Sequence, residues 1–311
     1  MGKFILRRVL SLIPTIMIII FIVYFIMDMT PGNPGRLILG DRAPIEAIEQ
    51  MNEELGYNDP LLVRYFRYMG EFVTGDLGES WKSGRSVIEE IAGRLPVTVT
   101  LAVGAMIISV IVGITLGIIS AVRQYSLFDF SATVVAMLLA SFPGFWIGMM
   151  LILLFALHLR LLPSFGSKSI QHFILPWITT ACPYIASLMR MTRTSMLEVI
   201  RSDYIRTARS KGQKESVVIL KHALQNSLLP VVTILGMNLG GLLGGTVTIE
   251  TVFTLNGVGT MIIEAIRAKD VPVVTGATVM LSIFFSVIML LVDILYAYID
   301  PRIKSRYMKK K

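Results

Sequence analysis

The run RSDYIRTARSKG, Arg201 to Gly212, holds the residue types best suited to recognition. Helical spacing puts Tyr204, Ala208 and Gly212 on one face, with Thr207 beside them and Arg201, Arg206, Arg209 and Lys211 around the edge. Small residues let a partner approach closely while the basic groups ring the contact, which describes a protein-docking surface. The same composition describes a basic helix lying against anionic lipid, and residue types alone leave both open. Covalent chemistry has no comparable candidate. There is no GxxxxGK[ST] phosphate loop, no HExxH pair and no GxSxG nucleophile turn, and His158, His172 and His222 are too dispersed for a metal site. The one cysteine, Cys182, excludes an internal disulfide and sits in an apolar stretch, where it packs as a small hydrophobe.

Glycine and proline mark places where helices approach or bend. Gly236, Gly240 and Gly244 repeat every four residues, giving a smooth face that serves either tertiary packing or a subunit interface. Pro143 with Gly144, and Pro183 further on, weaken helix hydrogen bonding and mark bends that permit gating.

The elements that position these residues are membrane helices. The chain has 311 residues, 54% apolar and 16% charged, with a mean hydropathy of +0.70. A net charge of +8 might suggest nucleic acid, but the basic residues flank apolar runs instead of covering a folded surface, so nucleic acid is excluded as a partner. A span needs about 20 apolar residues, and six stretches qualify: 9–27, 95–122, 130–157, 169–189, 223–249 and 271–292. The first follows Lys3, Arg7 and Arg8 but ends in Met27, Asp28 and Met29 without a small-residue cleavage site, so it reads as a retained span.

Six spans place both termini on one side. That side carries 18 basic residues against 11 on the other, so both termini are expected in the cytoplasm. Ionisable residues are nearly absent from the spans. Asp28 and Asp293 lie near span ends, an interfacial or helix-packing role is favoured over transport for Asp293, and the lack of a mid-membrane carboxylate argues against a self-powered carrier. Three regions follow: 1–28, the basic start and first span; 29–94, an outer amphipathic helical cap; and 95–311, a five-helix core. The core includes a loop at about 190–228 and a basic tail at about 298–311. In the cap, Pro44 opens a pattern of Ile45, Ile48, Met51 and Leu55 that stops at Gly56, and Asp59 and Pro60 open a second through Leu62, Tyr65, Phe66 and Met69. Gly212 interrupts the inner loop, so short helices on the cytoplasmic face are expected there.

Seven passages in order resemble the permease subunits of the dipeptide/oligopeptide/nickel group of ATP-binding-cassette importers. They are TPGNPGRLILG (30–40), GDLGES (75–80), RLPVTVTLA (94–102), SFPGFWIG (141–148), DYIRTARSKG (203–212), HALQNSLLPV (222–231) and ETVFTLNGVG (250–259). The endings AIRAKDVPVVTGA and LVDILYAYIDPRI also look like that group. The large segment after the first span assigns the chain to one of its two permease halves. The wider signature, Glu-Ala-Ala with a Gly four positions on, matches here at Arg206, Thr207, Ala208 and Gly212, so its Glu and first Ala are replaced. Leu229-Pro230 also lies further from Gly212 than in the general pattern.

The resemblance implies an all-α polytopic fold with six transmembrane helices of the type I importer permease kind. It implies a coupling helix at 201–212 that docks on an ATPase, with ATP and magnesium held by two partner ATPase subunits and no cofactor on this chain. It further implies a second permease half, an extracytoplasmic peptide-binding protein and a bacterial inner membrane location. Short peptides are the expected cargo; a nickel chelate, glutathione or another small solute is the nearer alternative, and a stand-alone channel or carrier the remoter one.

Overall fold

The computed structural model describes residues 2–30, 32–40 and 42–299, and side chains within these except at 2–9, 243–245 and 293–299. The side chains of Lys3, Arg7, Arg8 and Asp293, and the basic tail from 300 onward, therefore lie outside the described residues. The helices are α1 (Gly2–Met29), α2 (Pro34–Leu39), α3 (Ile45–Glu54), α4 (Leu61–Val73), α5 (Val87–Val122), α6 (Leu127–Ser141) and α7 (Gly144–Leu151). There follow α8 (Gln171–Ile200), α9 (Asp203–Ser210), the short α10 (Glu215–Val217), α11 (Leu224–Val252), α12 (Val258–Arg267) and α13 (Val271–Ile299). Wider π-type turns extend α7 over Ile152–His158 and join α10 to α11 over Val218–Ala223. Two compact units emerge, Met1–Thr98 with Asn256–Leu290 and Val99–Leu255 with Leu291–Lys311, so the contacts do not follow the three sequential regions.

In the first unit, the outer segment folds because its helices have apolar stripes to bury. Pro44 and Pro60 stand immediately before α3 and α4, where a missing N–H costs nothing. Tyr65 and Tyr68 of α4 pack with Ile20, Tyr24 and Met27 of α1, and the same core takes in Val258 and Met261 of α12 and Val274 of α13. Asp28, at the end of α1, pairs with the buried Arg64 of α4, so that carboxylate is a packing residue.

Two adjacent buried charges tie the loop before α13 to the outer segment. Lys269, at φ 51°, donates from Nζ to the Gly32 carbonyl at 2.8 Å and to the Tyr57 hydroxyl, and lies 4.9 Å from the Tyr57 ring centre. Asp270 accepts from Ser80 Oγ at 2.5 Å and from the backbone N–H groups of Trp81 and Lys82 at 3.2 Å each. A buried carboxylate is tolerable only with its lone pairs filled, and with the Val273 N–H at 3.4 Å four donors fill them here.

In the second unit, α8 packs against α6, α7 and α11. Close approach of α5 to α8 is set by small residues: an added Cβ at Gly113 would stand 2.8 Å from Leu188 Cβ. At residues 142–143 the expected bend is a complete break. Proline disfavours the helical region for the residue before it, and Phe142 is extended at φ −80°, ψ 138°. Pro143 then caps α7, and α6 and the α7 segment meet at 105°.

Among the described residues, four helices are long and apolar enough to cross a membrane: α1, α5, α13 and the continuous run Glu215–Leu242. The bent pair makes up to five. The expected fourth span lies in α8, which at 30 residues is about 45 Å long. Its hydropathy is diluted by polar and basic residues, Thr179, Thr180, Arg190 and Arg193 among them. The inner loop also differs from expectation: α8 continues unbroken to Ile200, and the helix leading into the fifth span starts at Glu215. Only α9 is a free-standing short helix there.

Removing the Asp270 carboxylate takes the acceptor from Ser80 and from the backbone N–H groups of Trp81, Lys82 and Val273. Asp270→Ala is expected to cost about 3 kcal/mol, whereas Arg94→Ala, which breaks the largely exposed pair with Glu264, should cost about 0.5 kcal/mol or less. Thermal unfolding of the detergent-purified chain separates the two.

Candidate functional site

The basic loop is built on one buried isoleucine. Ile205 of α9 is fully buried with Ala121, Met196, Val218, Ile219 and Ala223, and Ala208, three residues on, packs against the same cluster. This corrects the face expected from sequence. Ala208 is half-buried against that cluster, Arg206 and Thr207 lie on the opposite side of α9, and Tyr204 and Arg209 flank the buried stripe with their side chains exposed. Gly212 is not on the helix at all. Gly212 takes φ +74°, its N–H reaches the Arg209 carbonyl at 2.9 Å, and Gln213 N–H points back to Ala208 O at 3.4 Å, a left-handed C-terminal cap. Its value is backbone freedom, since nothing lies within 4 Å of an added Cβ.

The basic groups divide into tethered and free-facing ones. Arg209 makes two hydrogen bonds to Glu215, at 3.1 and 2.7 Å, closing the loop on itself. The pairing holds the Glu215 carboxyl below its usual range and pushes the Arg209 guanidinium up. Arg201 donates to Gln124 Oε1 at 3.1 Å. Arg206 and Lys211 are exposed, and with Tyr204, 47% exposed, they form the outward surface.

A second feature joins residues that are distant in sequence. A cavity of about 310 Å³ is lined by Gly144 and Phe145 of α7, Thr179, Thr180, Pro183 and Tyr184 of α8, and Thr248 and Ile249 of α11. Gly144 and Pro183, singled out as bends, thus meet at one site. Pro183 itself lies inside an unbroken α8, whereas Pro143 opens α7. Sequence reasoning missed the hydroxyls of Thr180, Tyr184 and Thr248. The spacing of Thr180 and Tyr184, one helical turn apart in an apolar span, was the available signal. Thr179 donates to the Leu175 carbonyl at 2.8 Å, while Thr180 Oγ1 is buried without a hydrogen-bond partner. The lining offers apolar contact and uncharged polar groups, suited to holding a solute and not to bond cleavage.

Of the glycine series, Gly236 is buried, and a Cβ there would come within 2.7 Å of Val292 Cγ1, so it serves close packing within this chain. Gly240 is half-buried, and the side-chain surroundings of Gly244 lie outside the described residues. Gly241 instead approaches Tyr184, whose hydroxyl would stand 3.2 Å from an added Cβ. Glu250, one residue past the expected fifth span, is fully buried inside α11.

Comparison with known proteins gives this helical chain, with its exposed basic loop and solute-sized cavity, a family. Residues 113–305 match the binding-protein-dependent transport system inner membrane component family, and residues 1–102 match the N-terminal region of such membrane components. The chain belongs to this family. It is 41% identical to the dipeptide transport system permease protein DppB of Alkalihalophilus pseudofirmus, over 98% of this chain and all of that protein. It is 40% identical, with the same coverage, to the glutathione transport system permease protein GsiC of Escherichia coli. In fold it is similar to the MetNI methionine ABC transporter in an inward-facing conformation, with a TM-score of 0.60 at 15% identity, covering 68% of this chain and 97% of that one. The protein is a multi-pass, non-catalytic permease subunit of a type I importer fold, and it operates in a transport system that depends on a separate binding protein.

Two predictions follow for the loop of this permease subunit. Gly212→Asn should be nearly neutral, because asparagine tolerates the left-handed region, whereas Gly212→Val should destabilise the loop by about 1–2 kcal/mol; hydrogen exchange of residues 203–213 reads the difference. The Arg209–Glu215 pair contributes at pH values above the ordinary glutamate range, and its contribution is lost as pH falls through the lowered value in the folded chain. Both groups are largely exposed, so Glu215→Gln at neutral pH should cost about 0.5 kcal/mol or less.

Proposed function

We propose that this chain is one half of the translocation path of an ATP-driven importer of short peptides in a bacterial inner membrane. The end-to-end 41% identity to a dipeptide permease carries this reading. The chain crosses the membrane six times, α8 and the bent α6–α7 pair each providing one crossing, with both termini in the cytoplasm. The excess of basic residues in the loops on that side supports this orientation. A second permease half completes the path, and two ATPase subunits hold ATP and magnesium and dock on the outward face of α9 at Tyr204, Arg206 and Lys211. A peptide-binding protein delivers cargo to the outer segment around α2–α4.

The uncharged cavity between α7, α8 and α11 suits cargo whose side chains vary, because fixed charges would select among peptides. Selection then falls to the delivering protein. Closure of the ATPases moves α9, and the packed helices rock as rigid bodies to open the path on alternate sides, with the break at 142–143 and Pro183 as bends. A second reading, glutathione or another small solute such as a nickel chelate as cargo, is favoured by the 40% identity to a glutathione permease.

Affinity purification from native membranes should recover a second permease, ATPase subunits and a peptide-binding protein; recovery of this chain alone would overturn the importer reading. In vesicles carrying the recovered complex, uptake of a labelled dipeptide should be suppressed by unlabelled di- and tripeptides and not by glutathione or nickel chelates, the reverse favouring the second reading. Tyr204→Ala combined with Arg206→Glu, both exposed on α9, should reduce ATPase recovery and uptake by about tenfold or more while leaving the melting temperature of the chain unchanged.

A further inference from the structure

One bidentate ion pair in the second unit belongs to neither the α9 surface nor the cavity. Arg193 of α8 grips Asp129 of α6 with two parallel hydrogen bonds, Nε to Oδ1 at 2.6 Å and Nη2 to Oδ2 at 2.8 Å. Asp129 is 3% exposed. Its Oδ2 also accepts from the backbone N–H of Tyr125 at 3.0 Å, which holds that residue in a left-handed turn at φ 63°. The hydroxyl of Ser126 caps α6 by accepting from the N–H of Asp129 at 3.2 Å. One carboxylate thus fixes the α5–α6 turn, the start of α6 and α8 to one another.

A second tie lies two helical turns along α8, where Arg201 reaches Gln124 in the same turn. Only Ser202 separates Arg201 from α9. The other end of α6 stops at the Phe142–Pro143 break, beyond which Gly144 and Phe145 line the cavity. An unbroken chain of contacts therefore leads from the exposed α9 through the end of α8 and the ion pair to α6 and then to the cavity wall.

We propose that Asp129 and Arg193 are positioning residues for transport. Their pair locks the start of α6 to α8, so that a displacement of α9 reaches the break at 142–143 and the cavity instead of dissipating as slippage between helices. This rests on the importer reading and adds to it the residues that carry the motion. The chemistry fits the role. Apolar helix contacts in lipid have little directional preference, whereas a bidentate guanidinium–carboxylate pair fixes both separation and rotation. Separating the pair would strand a buried carboxylate, which opposes sliding.

The test uses the complete complex in proteoliposomes and measures peptide imported per ATP hydrolysed, a ratio that a lower amount of folded protein does not move. Asp129→Asn keeps the acceptor for Tyr125 but removes the charge. That variant and Arg193→Gln should each lower the ratio about tenfold while ATP hydrolysis continues, and the double variant should be no worse than either single one. An unchanged ratio in both single variants overturns the proposal. Should they fail to assemble, Asp129→Cys with Arg193→Cys on a Cys182→Ala background decides. Bridging these two cysteines with a flexible bis-maleimide should restore coupled uptake relative to capping each with a mono-maleimide, and loss of uptake on bridging would show that the contact has to open, overturning it. If the wild-type complex imports no peptide, the peptide reading fails separately, and the ratio is taken with the cargo that the wild type moves.

Discussion

Inside a bilayer no water completes the hydrogen bonds of the main chain, so each N–H and C=O has to find its partner within the protein. This constraint explains why the described chain is helical almost throughout. It also explains how the sharp break at 142–143 is built. Around Phe142 and Pro143 the main chain stays bonded: Phe142 N–H reaches Leu138 O at 3.2 Å, and the N–H groups of Trp146 and Ile147 reach Pro143 O at 3.0 and 3.2 Å. Proline supplies no N–H that would need a partner. The 105° turn thereby keeps the N–H groups of Phe142, Trp146 and Ile147 bonded, and its far side forms part of the wall of the cavity.

The same constraint governs side chains. Buried carboxylates persist where donors match them: Asp129 with Arg193, and Asp270 with Ser80, Trp81 and Lys82. Each joins segments far apart in sequence, so each fixes tertiary geometry as well as neutralising a charge. The α9 loop follows a different logic. It is anchored by the apolar Ile205 and presents its charges to solvent, the arrangement expected of a surface that meets another protein.

Much of this was legible in order along the chain. The apolar runs located the long helices, proline and glycine punctuation anticipated α3 and α4, and the seven motifs pointed to the transport family the chain belongs to. The errors arose where a helical wheel was extended past the helix. Ala208 and Gly212 share a face only if α9 continues to Gly212, and it stops at Ser210. Similarly, Pro143 read as a bend because hydropathy continues smoothly across it, while the backbone preference of Phe142 before proline turns the bend into a break.

Composition and spacing by themselves determined that the chain is a helical membrane protein, which segments are apolar and where its basic inner loop lies, because these depend on local patterns of residue type. Tertiary structure alone decided that Ala208 points inward, that Gly236 meets Val292, that Glu250 is buried and that Gly144, Thr180 and Tyr184 share one cavity. It alone paired Asp129 with Arg193 across 64 positions. Hydropathy records how apolar each residue is and not which neighbour it meets; that choice belongs to helix packing, which depends on the whole chain at once.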